Sequence, residues 1–178
     1  MAVVQTKSTA ITNRDAVPSV INDGRLEKAN SVKGKGSVAV GAADSATSYY
    51  PLVSVPSSAI VHAVLATCPA GMTTLAGNVG VFKNTANSNG VTTGVVANTG
   101  SGTLFASAQS FASALNRSDV TGASGTYDTA KREQPLWQAI GLAADPNTTF
   151  DIGVVVTTAN TGAAGRIGLE VDYSDNSN

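Results

Sequence analysis

Arg166-Ile167-Gly168-Leu169-Glu170-Val171-Asp172-Tyr173 alternates without a break, with Ile167, Leu169, Val171 and Tyr173 on one side and Arg166, Gly168, Glu170 and Asp172 on the other. A period of two is the mark of a strand that has one face on a core and the other in water. Just upstream, residues 150–158 place Phe150, Ile152, Val154 and Val156 on one face, and residues 162–165 make a short Gly-bounded connection. Two such runs so joined predict an antiparallel hairpin. A chain whose clearest signal is this one, and whose remainder is rich in Gly, Ala, Ser, Thr, Val and Asn, is read as all-β.

Working back from that pair, residues 60–67 are nearly continuously apolar, which predicts a strand buried on both sides. Residues 49–55 alternate, with Tyr49, Pro51, Val53 and Val55 on one face, and Pro51 marks an edge strand or a strand start. Residues 78–83 alternate too, with Val79 and Val81 on one face and Phe82 turned to the other, as a two-sided interface would want. A short strand is expected at 37–40. Residues 85–102, rich in Asn, Gly and Thr, read as a long loop or weak hairpin, and residues 118–129 as a second polar loop. Residues 103–115 are ambiguous: Leu104, Ala108, Phe111 and Leu115 fit helical spacing and Phe105 does not. Residues 133–142 predict one or two helical turns, with Pro135 near the start and Gly141 near the end. The expected architecture is a jelly-roll-like antiparallel β-sandwich of seven to nine strands with one or two short helices.

Residues 1–36 show no sustained period and contain Pro18, Asn22-Asp23-Gly24 and Lys33-Gly34-Lys35-Gly36, so they predict an extended N-terminal arm with turns, ahead of a sandwich domain over 37–178. Net charge is −1, which gives no global field toward nucleic acid or membrane, but the charge is unevenly placed. Residues 1–35 carry six basic side chains against three acidic ones, and residues 118–178 carry three basic against eight acidic. A basic arm and an acidic end can pair head to tail between subunits, or be two ordinary solvated surfaces. The first residues have no apolar run of signal-peptide length, and no segment approaches the length of uninterrupted apolar residues that spans a bilayer.

The material of catalysis is scarce: one His (His62), one Cys (Cys68), one Trp (Trp137) and 13% charged residues. A single Cys makes no intrachain disulfide, and Cys68 reads as a small buried apolar residue. One His and one Cys six residues apart leave a zinc site short of ligands, and no acid-dense calcium loop is present. His62 as a triad base would need a nucleophile, and no Gly-x-Ser-x-Gly elbow occurs. Glu170, Asp172 and Asp175 lie close together and read as a solvated strand face rather than a carboxylate pair for hydrolysis. The Gly-rich pieces do not stand between a strand and a helix, as a dinucleotide site requires. No catalytic residue, metal or cofactor is expected, and the chain reads as a structural or binding protein, not an enzyme.

Several stretches together are familiar. Tyr49-Tyr50-Pro51-Leu52-Val53-Ser54-Val55-Pro56-Ser57-Ser58-Ala59-Ile60-Val61 resembles the Y-x-L-x-x-V-P-S-N-A-x-I segment of tailed-bacteriophage capsid decoration (cement) proteins. Asn78-Val79-Gly80-Val81-Phe82 resembles the D-I-G-L-Y strand that follows in that family, and Leu104-Phe105-Ala106-Ser107 its L-F-A-S stretch. Pro135-Leu136-Trp137-Gln138-Ala139-Ile140-Gly141-Leu142 with Asp145-Pro146 resembles its L-W-E-x-L-G-L-x-x-D-P. Ser58 stands where the family has Asn, and Asn78 where it has Asp.

The resemblance implies a protein of the virion, assembled in the host bacterial cytoplasm. It would sit on the outer capsid surface as a homo-oligomer, a trimer by preference, and clamp neighbouring major capsid protein subunits. No nucleic acid, membrane or cofactor is implied. On that expectation the capsid-binding residues are the arm cations Arg14, Arg25, Lys28, Lys33 and Lys35, facing an acidic capsid surface. The alternative is a receptor-binding or fibre-head module of lectin-like type, which would need exposed aromatic rings; Trp137 and the pair Tyr49 and Tyr50 are the candidates.

Overall fold

The strands pair by one rule, the first with the last and so on inward. In the computed structural model, which describes residues 12–13, 16–18, 20, 31–83 and 101–175, β1 (Ser31–Val40) pairs with β8 (Gly165–Ser174) and β2 (Tyr49–Pro56) with β7 (Thr149–Thr158). Likewise β3 (Ile60–Cys68) pairs with β6 (Leu115–Asp119) and β4 (Ala76–Lys83) with β5 (Ala106–Ser110), every ladder being antiparallel. Two further ladders, β3 with β8 and β4 with β7, complete two four-stranded sheets of order β1-β8-β3-β6 and β2-β7-β4-β5. A long hairpin rolled onto itself in this way is a jelly roll of two Greek keys. The expected all-β sandwich is therefore what the chain forms.

The core lies between the sheets and is built from the predicted faces. Ile167, Leu169 and Val171 of β8 are at most 2% exposed, and Phe150, Ile152, Val154 and Val156 of β7 at most 3%. They meet Val61, Val64 and Ala66 of β3 and Val79 and Val81 of β4, all fully buried. Each such Val, Leu, Ile or Phe side chain contributes about 1.5–3 kcal/mol by leaving water.

The predicted hairpin between β7 and β8 does not form, because the two strands lie in opposite sheets. Each already has both edges occupied, β7 by β2 and β4, and β8 by β1 and β3. Their connection crosses from one sheet to the other, held by the buried Asn160 side chain, whose amide donates to the carbonyls of Gly41 at 3.0 Å and Ala163 at 2.9 Å. Alternation shows that each strand has a buried face. It does not say whether two such strands are neighbours or face each other across the core.

The arm also ends earlier than expected. Lys33-Gly34-Lys35-Gly36 is not a turn but the middle of β1, with the lysines outward and the glycines inward. The inward positions must be Gly because β1 crosses β2 closely: a Cβ on Gly34 would stand 2.4 Å from Cγ1 of Val53, and one on Gly36 1.8 Å from the carbonyl oxygen of Leu52. With glycine at both inward positions of residues 33–36, this half of the strand lacked the apolar alternation by which strands are recognised, and only Val38 and Val40 further on announced it. Residues 1–30, apart from the few positions named, lie outside the described residues.

Three local readings also change. β2 is an edge strand, as Pro51 suggested, but its register shifts between Pro51 and Val53, so Tyr50, Val53 and Val55 are the buried residues. β3 is buried on one side only, since His62 and Thr67 are exposed and the ladder shifts at His62. The ambiguous residues 103–115 run from the last residue of a 3-10 turn (Ser101–Thr103) through β5 to the start of β6. Phe105 and Phe111 are both fully buried there, and positive φ at Ala108 breaks any regular period. The predicted helical turn is present as α1 (Leu136–Ala139), preceded by Pro135 and followed by Gly141 at φ 80°. It docks on the turn after β2 through hydrogen bonds from the Leu136 and Trp137 amides to the Ala59 and Ser57 carbonyls. The expected loop or weak hairpin at 85–102 falls almost wholly outside the described residues.

Candidate interaction surface

The outer face of the β1-β8-β3-β6 sheet gathers the charges that the sequence scatters. Register sets Lys33 opposite Asp172, Lys35 opposite Glu170, Ser37 opposite Gly168 and Ala39 opposite Arg166. On the other flank of β8, Leu65 and Thr67 of β3 lie beside Glu170 and Gly168. Arg117 of β6 joins them through a backbone turned to φ 51°, with its amide donating to Oγ1 of Thr67 at 3.2 Å.

Two carboxylates on the central strand hold three cations. Lys33 Nζ is 3.0 and 3.2 Å from the two Asp172 carboxylate oxygens and 3.5 Å from Oε1 of Glu170. Lys35 Nζ is 3.2 Å from Oε2 of Glu170, and Arg117 Nη2 donates to Oε1 at 2.8 Å. The acids are sunk, at 13% and 21% side-chain exposure, while Lys33, Lys35 and Arg117 stand at 51%, 66% and 56%. The cations are therefore the more exposed partners on this face, and the two carboxylates lie beneath them. Exposed pairs of this kind add little to stability, so their alignment matters more for what the face can bind.

Gly168 leaves a gap in this face. It is the outward position of the central strand between Arg166 and Glu170, and its lack of a side chain opens a shallow depression lined by Lys35, Ser37, Thr67 and Glu170 among others. Arg166 stands beside it, donating from Nη1 to Oγ of the lining residue Ser37 at 3.0 Å.

Of the expected capsid-binding residues, Lys33 and Lys35 lie on this face as part of a strand, not of an arm. Arg14, Arg25 and Lys28 fall outside the described residues. Arg117 and Arg166 were not among the expected contacts. Arg166 had the signal of an outward strand position, whereas Arg117 fell between the ambiguous residues 103–115 and the expected loop at 118–129 and was assigned to no element. The acidic end does pair with basic residues near the start, but within one chain, through the β1-β8 ladder.

The other candidates have structural surroundings. His62 is exposed at the β3 register shift and lies 3.0 Å from Oγ of Ser174, whose side chain is fully buried and so closed to a substrate. Cys68 is 4% exposed and its thiol points at the carbonyls of Ser113 and Phe111; burial raises its pKa. Tyr50 is buried with its hydroxyl donating to Asp44. Tyr49 meets Phe82 at a tilt of 54° with ring centroids 4.8 Å apart, and Phe82 is only 1% exposed rather than open to a partner. Trp137 is half-buried against the core. Among the described residues no group of His, Cys, Asp and Glu is arranged to hold a metal ion, and no helix is long and apolar enough to cross a membrane.

Among the described residues three carboxyls have lowered pKa values. The Tyr50 hydroxyl, and then the Gly41 amide, hold Asp44 below its usual 3.8. The Thr121 hydroxyl does most to hold Asp119 down, against partial burial. Burial alone would raise Glu170, but the hydrogen bond from Lys35 and the charges of Arg117, Lys35 and Lys33 outweigh it and leave it lowered. Asp151 runs the other way, raised by burial. A carboxyl lowered in the folded state stabilises the fold above its unfolded pKa, and that stabilisation is lost as pH falls through the folded pKa. Thermal stability is expected to be level from neutral pH to about 5 and to fall below about pH 4. Asp44→Asn should flatten part of that acid limb in a series of melting curves, and an unchanged limb would contradict the assignment.

Comparison of the sequence with protein-family models and with curated proteins finds no match. Among solved structures, a chain of the cyanophage Pam1 capsid asymmetric unit superposes with a TM-score of 0.53 and 21% identity, over 87% of this chain and 91% of that one. A chain of the capsid of Ralstonia phage GP4 does so with a TM-score of 0.59 and 16% identity, over 85% of this chain and 89% of that one. The protein thus shares its fold, over most of its length, with chains of two phage capsids.

Proposed function

We propose that this protein is a structural component of a tailed-phage virion, a decoration or cement protein that binds the outer surface of the head and clamps neighbouring major capsid subunits. The observation that carries the reading is the fold shared with chains of two phage capsids, each matched over about nine-tenths of its own length. The ordered resemblances over residues 49–173 support it. A two-sheet body with a continuous apolar core suits a rigid clamp, and weak individual contacts suffice where many copies and several subunits per oligomer engage at once. The role is mechanical and needs no catalysis or cofactor. The oligomer is proposed to be a homotrimer, three times the 17.8 kDa chain mass by light scattering.

The test is the copy number per particle, measured by quantitative mass spectrometry of purified virions against the major capsid protein. Hundreds of copies in a simple ratio to the capsid subunit are expected. A few dozen or fewer would favour a vertex, fibre or receptor-binding part, and absence from the particle would overturn the virion reading. Replacing Arg14, Arg25, Lys28, Lys33 and Lys35 together by Glu is expected to abolish occupancy. Full occupancy by that variant would remove these cations from the interface.

A further inference from the structure

We infer that the gap over Gly168 is a docking notch for an acidic side chain of the partner protein, with Lys35, Arg117 and Arg166 as the cations that receive it. This rests on the cement reading for the identity of the partner, the capsid surface, but the notch itself is a property of the sheet.

The argument starts from what is missing at the centre of the face. Along β8 the outward positions are Arg166, Gly168, Glu170 and Asp172, and only Gly168 has no side chain. Its neighbours across both ladders are hydroxyl residues, Ser37 on β1 and Thr67 on β3. Arg166 reaches over one edge to Ser37, and Lys35 and Arg117 converge on Glu170 at the other. An entering carboxylate would meet the Ser37 and Thr67 hydroxyls and Lys35 in the lining, with Arg166 beside it on Ser37 and Arg117 beside it on Glu170, the one acid of the lining. Glu170 already occupies one side of Lys35 and Arg117, but both are more than half exposed and retain donors facing solvent. Charge complementarity therefore selects an acidic group and works against a basic one.

The absence of a side chain at Gly168 is not required by packing. A Cβ there would meet the Gly36 carbonyl oxygen at 3.5 Å, Cβ of Ser37 at 3.6 Å and the Thr67 carbonyl oxygen at 3.9 Å, all ordinary contacts, and the backbone has no unusual φ. Gly34 and Gly36 on the neighbouring strand have no such room. Glycine in a strand interior costs stability and often marks a bulge, a tight bend or a close approach by a ligand or another backbone. At Gly168 the fold itself supplies no such approach on the outer side, which leaves the partner to supply it.

The experiment uses the full chain and two probes: phage heads stripped of this protein, and a glutamate hexapeptide followed by amide shifts in NMR. Gly168→Leu fills the notch and Gly168→Glu fills it with a tethered carboxylate. Arg117→Ala removes one receiving cation should either prove hard to fold, and Lys83→Glu, on the other sheet, controls for general charge. For wild type, the hexapeptide is expected to shift the amides of Gly168, Ser37 and Thr67. Gly168→Leu, Gly168→Glu and Arg117→Ala should each weaken binding to heads by about tenfold or more, with melting temperature within about 2 °C of wild type. Lys83→Glu should bind as wild type does. Undiminished binding of heads by folded Gly168→Leu, or an equal loss in Lys83→Glu, would overturn the notch. Hexapeptide shifts at the notch with no binding of heads by wild type would sink the cement reading and leave the carboxylate site standing. No localised shift would overturn the site.

Discussion

Alanine at Gly36 is expected to destabilise the protein by about 3 kcal/mol or more, because the added methyl has nowhere to go. Its Cβ would stand 1.8 Å from the Leu52 carbonyl oxygen and 2.7 Å from the carbonyl carbon, and these are backbone atoms that cannot rotate away. The register shift in β2 between Pro51 and Val53 falls at this same Leu52, where β1 crosses it. β1 cannot simply retreat, since its ladder to β8 runs over all ten residues from Ser31 to Val40. The melting temperature should drop by roughly 6–12 °C for a chain of this size. Hydrogen exchange should show the loss first in β1 and in the β8 amides that face it. Gly168→Ala, one strand away, is the matched control: its new methyl meets only ordinary contacts, and its melting temperature should stay close to wild type. Equal behaviour of the two variants would refute the close crossing of β1 over β2.

Phe105→Ala is expected to cost about 3–5 kcal/mol, the usual range for deleting a buried phenylalanine ring. Phe105 is fully buried and meets Tyr127 edge to face, with ring centroids 5.0 Å apart and an interplanar angle of 71°. Its amide donates to the Val79 carbonyl and its carbonyl accepts from the Ser124 amide, so this residue ties the loop after β6 to β4. Tyr127 in turn donates its hydroxyl to the Val61 carbonyl at 2.7 Å, beside the register shift in β3. Loss of the ring leaves a void where both sheets and the loop meet. Against a total stability of about 5–15 kcal/mol for a domain, such a change should lower the melting temperature by roughly 6–20 °C. A shift of under about 2 °C would mean that the site collapses freely and that the ring is not a keystone of this end of the sandwich.

These two positions also show where reading a sequence succeeds and fails. Phe105 broke the helical spacing of residues 103–115, and that misfit was the correct signal, since the segment folds as a turn and two strands. Gly36 carried a signal that was misassigned. Lys-Gly-Lys-Gly has the period of two that a strand requires, yet its buried side holds glycine, so nothing apolar announced this half of the strand. In the candidate site, Lys33 and Lys35 were legible as cations, and Arg166, Gly168 and Glu170 as outward positions of one strand. Arg117 was not legible, because its place depends on a backbone at φ 51° and a hydrogen bond to Thr67, fifty residues earlier.

From the sequence alone follow the all-β class, the buried faces of β7 and β8, an edge strand or strand start at Pro51 and the helical turn after Pro135. All of these are written in runs of about ten consecutive residues, where side-chain period, proline and glycine act locally. Which strand lies beside which was decided only by the tertiary structure. Alternation predicted a hairpin of β7 with β8, and the fold instead gave β8 to β1 and β3. That choice depends on partners more than a hundred residues apart, on the space that Gly34 and Gly36 leave for β2, and on register shifts at Pro51 and His62. The same long-range pairing sets Lys33 and Lys35 beside Glu170 and Asp172 and frames Gly168 with Ser37 and Thr67. The cationic face thus exists only once the chain has rolled up, since its residues come from four strands that the sequence keeps apart.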